Sequence, residues 1–325
     1  MNAVPVAEIV RNGFVEGHHY GSVVALAAEG TVAWSVGDVD VPILPRSCNK
    51  PLQALGMVRL GLDLPPQLLA LACASHSGEG FHIEGVRRIL ASAGLVESDL
   101  QTPPDYPLDD EAREAIIREG GKREPVLMNC SGKHAAMLAA CVANDWPINA
   151  YRDPDHPLQR AIAATFADLT GEPIAVTAVD GCGAPLFSSS LVGLATAFRR
   201  LALGVDASGG DDAGARRVAE AIRAHPAYVS GSTRDELTLL SAIPGAIGKA
   251  GAEGCYAVAL SDGRAFALKT DDGAARVRPV LMAAALRRAG VLEEPGVDAD
   301  AVRRTGLVEV LGGGLPVGEI RAILP

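Results

Sequence analysis

"RSCNKPLQALG", residues 46–56, sets Ser47 and Lys50 three residues apart where a helix begins. Pro51 is tolerated in a first turn because its missing N–H has no helical partner there, and Leu52, Leu55, Val58 and Leu62 continue at helical spacing. Residues i and i+3 share a helix face, so an amine at position 50 can reach a hydroxyl at position 47. A helix N-terminus also carries partial positive charge, which disfavours an ammonium and favours a developing alkoxide. Serine as nucleophile with neutral lysine as its base is the chemistry this spacing offers. The plainer reading is a solvated helix start with no role, and Ser-x-x-Lys alone does not decide between the two.

The choice of lysine sharpens the question. The chain has 24 arginines and five lysines, so arginine serves wherever charge alone is needed. Arginine stays protonated, whereas a buried lysine can lose its proton and act as a base. Lys122 lies in a polar run and Lys269 at the end of a strand, but Lys50, Lys133 and Lys249 sit in "SCNK", "CSGKH" and "IGKAGAEG", among Ser, Cys and Gly. Their order matters too. After Ser47 and Lys50 comes "ASHSGEG" (74–80), with Ser75 and Ser77, and then Lys249 just before a hairpin. That layout, though not its letters, follows the three motifs of penicillin-recognising enzymes.

Composition narrows the class. Hydrophobic residues make up 48% of the 325 and charged residues 21%, values of a chain that folds on its own. A net charge of −10, with no Lys/Arg-rich run, argues against nucleic acid as a partner. "MNAVPVAEIVRNGF" lacks the basic start and apolar stretch of a signal peptide, and "SSSLVGLATAF" is cut short by Arg199 and Arg200 before it could span a bilayer. A cytoplasmic protein with no membrane partner is expected. The six cysteines include no Cys-x-x-Cys pair and are expected to be free, mostly buried thiols.

Strand-like runs flank a helical middle. "SVVALAAEGTVAWSV" (22–36) reads as two strands around Glu29-Gly30, and "CYAVALSDGRAFALK" (255–269) as a hairpin whose Asp262-Gly263 supplies the positive φ angles of a tight primed turn. Between them "HAAMLAACVAND", "PLQRAIAATFADL", "LVGLATAFRRLAL" and "GARRVAEAIRAH" read as helices. The expected class is α+β: a largely antiparallel sheet built from N- and C-terminal strands, with the central helices packed on it or forming a second lobe. We expect one catalytic unit over residues 1–325, and a mobile surface loop at "DASGGDDAGA" (206–215).

"RSCNKPLQ", "ASHSGEGFH", "LMNCSGKHAAML", "YRDPDHPLQ" and "VDGCGAPLF" together resemble the asparaginase II family, over nearly the whole chain. The resemblance implies a serine β-lactamase/glutaminase-like fold, hydrolysis of L-asparagine to L-aspartate and ammonia, and a homodimer. It places Ser47 with Lys50 as a first catalytic pair and Ser77 with Lys249 as a second, Ser75 being the rival of Ser77. It also implies zinc held by Cys130, Lys133 and Cys182. By spacing alone those cysteines would be two buried thiols, because ordinary zinc sites use closely spaced Cys/His sets. Yet both stand in Gly-containing turns, and Lys133 could bind a metal only as the neutral amine. Arg46 and Asp180 are candidates for the substrate α-carboxylate and α-ammonium and His134 for a further hydrogen bond, against plainer roles as an exposed Arg, a turn cap and a helix start.

Other architectures fall away. "CSGKH" is no phosphate-binding loop, since Leu127 stands where the first glycine is required and no Ser/Thr follows Lys133; Gly-x-Ser-x-Gly is absent. A glutaminase, a β-lactam hydrolase or a non-catalytic amino-acid sensor remain as alternatives.

Overall fold

The computed structural model describes residues 3–324; Met1, Asn2 and Pro325, the ends of the unit expected over 1–325, lie outside it. The chain opens with β1 (Val4–Arg11), β2 (Phe14–Leu26) and β3 (Val32–Val36). Helices α1 (Lys50–Arg59), α2 (Pro66–Ala72), α3 (Gly80–Ser92), α4 (Asp110–Arg118), α5 (Ser131–Ala143) and α6 (Pro157–Thr170) follow. A short hairpin, β4 (Thr177–Val179) and β5 (Pro185–Phe187), precedes α7 (Leu191–Leu203), α8 (Ala213–Ala224), α9 (Pro226–Val229) and α10 (Asp235–Ala242). The chain then returns as β6 (Ile247–Ala250), β7 (Cys255–Ala259), β8 (Ala265–Thr270), α11 (Arg278–Arg288), α12 (Ala299–Thr305), β9 (Val308–Gly312) and β10 (Leu315–Ala322).

The main sheet runs β6-β7-β8-β2-β1-β10-β9, with β3 on the inner half of β2, and every pairing is antiparallel. β1 pairs with β10 from Ala7↔Ala322 to Arg11↔Gly318, so both chain ends close the sheet, as the terminal strand runs predict. β2 is the spine: Phe14–Gly21 pairs with β1, and Gly21–Leu26 runs between β8 and β3. Residues 21–26 and all of β7 are buried without alternation, the mark of strands covered on both faces. α7 packs on β2, β7 and β8, and α11 packs on β7, β8 and β10. One buried cluster runs from Val23 of β2 through Leu52 and Leu55 of α1 to Phe198 of α7, so sheet and helices share a core.

Local chemistry accounts for the helix ends. α6 begins at Pro157 behind His156, whose ring accepts from Leu158 N–H, and stops at Gly171 in the left-handed region. Ser190 caps α7 through Gly193 N–H, and Asp109 and Asp212 cap α4 and α8 in the same way. Two sequence expectations change in detail. In the β7–β8 hairpin only Gly263 takes positive φ, at 96°, and the chain closes with Leu260 N–H to Arg264 O, a three-residue loop in place of the two-residue primed turn. The 206–215 segment is organised by its own first residue: Asp206 accepts from Ser208 and Gly210 N–H, and α8 has begun by Ala213. No helix among the described residues is long and apolar enough to cross a membrane.

Candidate active site

The 46–56 segment starts with one 3₁₀ turn, Arg46–Asn49, and continues as α1 from Lys50. Lys50 N–H donates to Ser47 O, so the i,i+3 relation holds at the junction. The turn is stitched to the body at each residue. Cys48 Sγ donates to Lys249 O of β6 at 2.9 Å, and Asn49 Nδ2 donates to Phe187 O of β5 at 3.1 Å. Arg46 takes φ +52° and Glu253, near the β6–β7 turn, φ +54°, and these two of the four non-glycine outliers among the described residues pair, Nη1 to Oε1 at 3.4 Å. Strained residues persist where their surroundings over-determine them, and Arg46 directly precedes the half-buried Ser47.

Lys50 is fully buried. Its Nζ donates to Ala74 O at 2.6 Å and to Ser75 Oγ at 2.9 Å; among the described residues it makes no hydrogen bond to Ser47 and no ion pair. The structure thus brings Ser75 to the first lysine. Ser77 is buried as well, but its Oγ donates to Ser230 O at 2.9 Å. Lys249, expected beside Ser77, donates from Nζ to Glu236 Oε1 at 2.5 Å and to Ala250 O at 2.8 Å, and no bond joins it to Ser77 among the described residues. Glu236 also receives Ala250 N–H at 2.9 Å and the Arg234 guanidinium at 2.8 Å. Burial alone would raise its carboxyl, but Lys249 and Arg234 hold it down at about 2, so it is an anion. Burial lowers the Lys249 amine despite that partner. Arg234 reaches back to Ser75 O at 3.1 Å, which links the two lysine environments.

A second group gathers where the β4–β5 turn meets α5. Cys130 stands at the N-terminus of α5, Lys133 in its first turn, and Cys182 between Gly181 and Gly183. Gly183 has φ +84° and lies against Arg152, so that only glycine turns the chain there without strain. Lys133 Nζ donates to Cys182 Sγ at 3.3 Å, and the two cysteines share a small apolar cluster with Met128 and Ala184. Cys130 Sγ also donates to Asn129 Oδ1 at 3.0 Å. The Cys130 hydrogen bond and the Lys133 charge draw the Cys182 thiol well down, and the same hydrogen bond and burial push Cys130 up. Burial would lower the Lys133 amine, but the two sulfurs and Asp180 raise it overall.

The substrate-contact candidates adjoin these groups. Arg46 Nε donates to Asp180 Oδ1 at 2.8 Å, and Cys182 Sγ to Asp180 Oδ2 at 3.7 Å. His134 Nδ1 meets Tyr151 OH at 2.7 Å, its buried Nε2 has no hydrogen bond by geometry among the described residues, and burial lowers the ring against the opposing pull of Cys182. Ser47, Arg46, Asp180 and the thiol group therefore form one connected region, with Lys50–Ser75 and Lys249–Glu236 behind it. Sequence reasoning missed Glu236, Arg234, Asn129 and Tyr151. Tyr151 and Asn129 lie inside two of the motif blocks, which is the signal that could have found them.

The family profile described as L-asparaginase II matches residues 7–322. The chain belongs to that family. As a member of the L-asparaginase II family it is an amidohydrolase. A search of the curated proteins finds no match. Among solved structures, a β-lactamase from Mycobacterium bovis is similar over 82% of this chain and 94% of its own at 16% identity, with a TM-score of 0.45. A Bacillus glutaminase is similar over 83% of this chain and 91% of its own at 10% identity, with a TM-score of 0.39.

Proposed function

We propose that the protein is an L-asparaginase that works through an acyl-enzyme on Ser47. One observation supports this reading most directly: the buried Lys50 amine lies one turn from Ser47 and donates to Ala74 O and Ser75 Oγ. Those two acceptors take two of the Lys50 amine's positions, and the remaining one is the position that would exchange a proton with Ser47 in the reaction. Lys50 takes that proton as Ser47 Oγ bonds to the side-chain amide carbon, and the oxyanion that forms needs N–H donors around it. The C–N bond then breaks, and the nitrogen receives the proton back from Lys50, with Ser75 Oγ as the nearest relay, and departs as ammonia. Water, deprotonated by the same lysine, cleaves the ester to L-aspartate and restores Ser47.

Lys249 with Glu236 is a charged pair beside the site rather than a second free base. Ser77 belongs to the support of this region, and Ser75 to its proton path. Arg46 and Asp180 neutralise one another and wall the entry to Ser47.

The same reading includes zinc. No trio of His, Cys, Asp or Glu among the described residues forms a metal group, so the set in question is the unusual one with a lysine. Its donors fit a soft divalent ion that displaces the Lys133 proton on binding: the Cys130 and Cys182 sulfurs share a small cluster, Lys133 Nζ lies 3.3 Å from one of them, and His134 Nε2 has no hydrogen-bond partner by geometry among the described residues. Bound there, zinc would clamp the N-terminus of α5 to the β4–β5 turn and supply positive charge beside Asp180. The test is ammonia release from L-asparagine and L-glutamine. Release from asparagine that is lost in Ser47→Ala supports the reading; binding of either amide without release favours a sensor.

A further inference from the structure

Tyr151 is fully buried, and its hydroxyl has two hydrogen-bond neighbours among the described residues. One is the Gln101 backbone N–H at 3.2 Å, which can only donate; the other is His134 Nδ1 at 2.7 Å. Burial pushes the phenol up to about 12, so its hydrogen is present at any ordinary pH. That hydrogen has one place to go, the Nδ1 lone pair. A buried O–H without an acceptor is costly, which excludes the arrangement in which Nδ1 carries the hydrogen and Tyr151 accepts from both sides.

The pair is held in place from several directions. Gln159 Nε2 donates to Tyr151 O at 2.7 Å. Gln101 is tied at both ends of its amide, donating from Nε2 to Asn149 O at 2.9 Å and accepting at Oε1 from Arg152 Nε at 2.9 Å. The Tyr151 and His134 rings meet edge to face, at 79° with 5.5 Å between centres. His134 stands in the first turn of α5 beside Lys133, its backbone N–H on Cys130 O.

A neutral imidazole that accepts at Nδ1 carries its hydrogen on Nε2. Nε2 is the buried ring atom with no hydrogen bond by geometry. Burial lowers this ring, and Cys182 opposes burial more than any other group does, so the Cys182 sulfur is the acceptor in range. An N–H offers no lone pair to a metal. His134 is then a donor to the set of Cys130, Lys133 and Cys182 and not a member of it.

We propose that Tyr151 is a positioning residue: it holds His134 in the tautomer with hydrogen on Nε2, so that the ring donates to the Cys182 sulfur and steadies it on the β4–β5 turn. The tautomer depends on neither Ser47 nor zinc; its effect on zinc binding rests on the zinc reading above. Long-range proton–nitrogen correlation spectra of the purified protein, labelled on its seven histidine rings, test it, the His134 signals being those lost in His134→Gln. The expected result is a hydrogen on Nε2 and a bare, hydrogen-bonded Nδ1 in the wild type, and a mixture of tautomers in Tyr151→Phe. Zinc affinity, read by competition with a chromogenic chelator, should fall about tenfold in Tyr151→Phe. A merely structural tyrosine would lower the melting temperature and leave the tautomer alone. Hydrogen on Nδ1 in the wild type, a Tyr151→Phe tautomer like the wild type's, or zinc binding that Tyr151→Phe does not alter overturns the proposal. Should Tyr151→Phe fail to fold, the wild-type spectrum decides by itself. The expected tautomers in a protein that binds no zinc would uphold the hydrogen placement and sink the zinc reading instead.

Discussion

Lys50 and Lys249 are both buried amines, and their partners set them apart. Lys50 faces a carbonyl and a hydroxyl, whereas Lys249 faces a carboxylate. Ser75→Ala should therefore lower kcat for L-asparagine on the order of 10²-fold by removing the hydroxyl on Lys50, and Ser77→Ala by much less; steady-state kinetics on the two variants decides which serine moves protons. Glu236→Gln should destabilise the fold by roughly 3 kcal/mol, because it leaves Lys249 and Arg234 without their shared anion. The sign with pH follows from the carboxyl being depressed from 4.5 to about 2: its contribution is present above pH 4.5 and is lost as pH falls toward 2, a loss the Gln variant should not show in denaturant melts. The Ser47–Lys50 relation was legible because one helical turn fixes it. Glu236 was not, because acidic residues in a first helical turn, here Asp235 and Glu236 of α10, ordinarily mark a solvated N-terminus. Only the return of β6 buries one of them.

At the scale of elements, the site is a meeting of turns rather than a face of one helix. The N-terminus of α5, the β4–β5 turn and the 3₁₀ turn before α1 arrive from three stretches of chain, joined by Lys133–Cys182 and Arg46–Asp180. Their motifs could be read in the sequence, but their convergence is tertiary and no spacing encodes it. Zinc content after chelator-free purification should fall sharply in Cys182→Ser, with the melting temperature lowered alongside. Near Ser75 the His76 and His82 rings stack at 5.2 Å, and burial is the main force lowering both, His82 to about 4. Each is neutral in the folded protein and must charge in acid. Stability should thus be full above pH 6.5 and decline as pH falls toward 4, by about 3 kcal/mol for His82 alone, and His82→Gln should flatten that limb of a pH–stability curve.

For the molecule as a whole, strands at both ends of the chain with helices between them already dictated a sheet closed by both termini, and β1 beside β10 is its physical form. Less visible was β2, whose 13 residues serve three neighbours, β1 along the outer half and then β8 and β3 along the inner half, since its outer half alternates poorly. That sheet carries Lys249 on β6 to the back of the 3₁₀ turn bearing Ser47, where Cys48 Sγ meets Lys249 O. The helices bring Ser75 and Lys50 together from the other side. The most direct measurement is ammonia release from L-asparagine by the wild-type protein and by Ser47→Ala. The expected result is steady release by the wild type and none above background in the variant, with an unchanged melting profile. Equal release by both would contradict the Ser47 acyl-enzyme and move the nucleophile elsewhere.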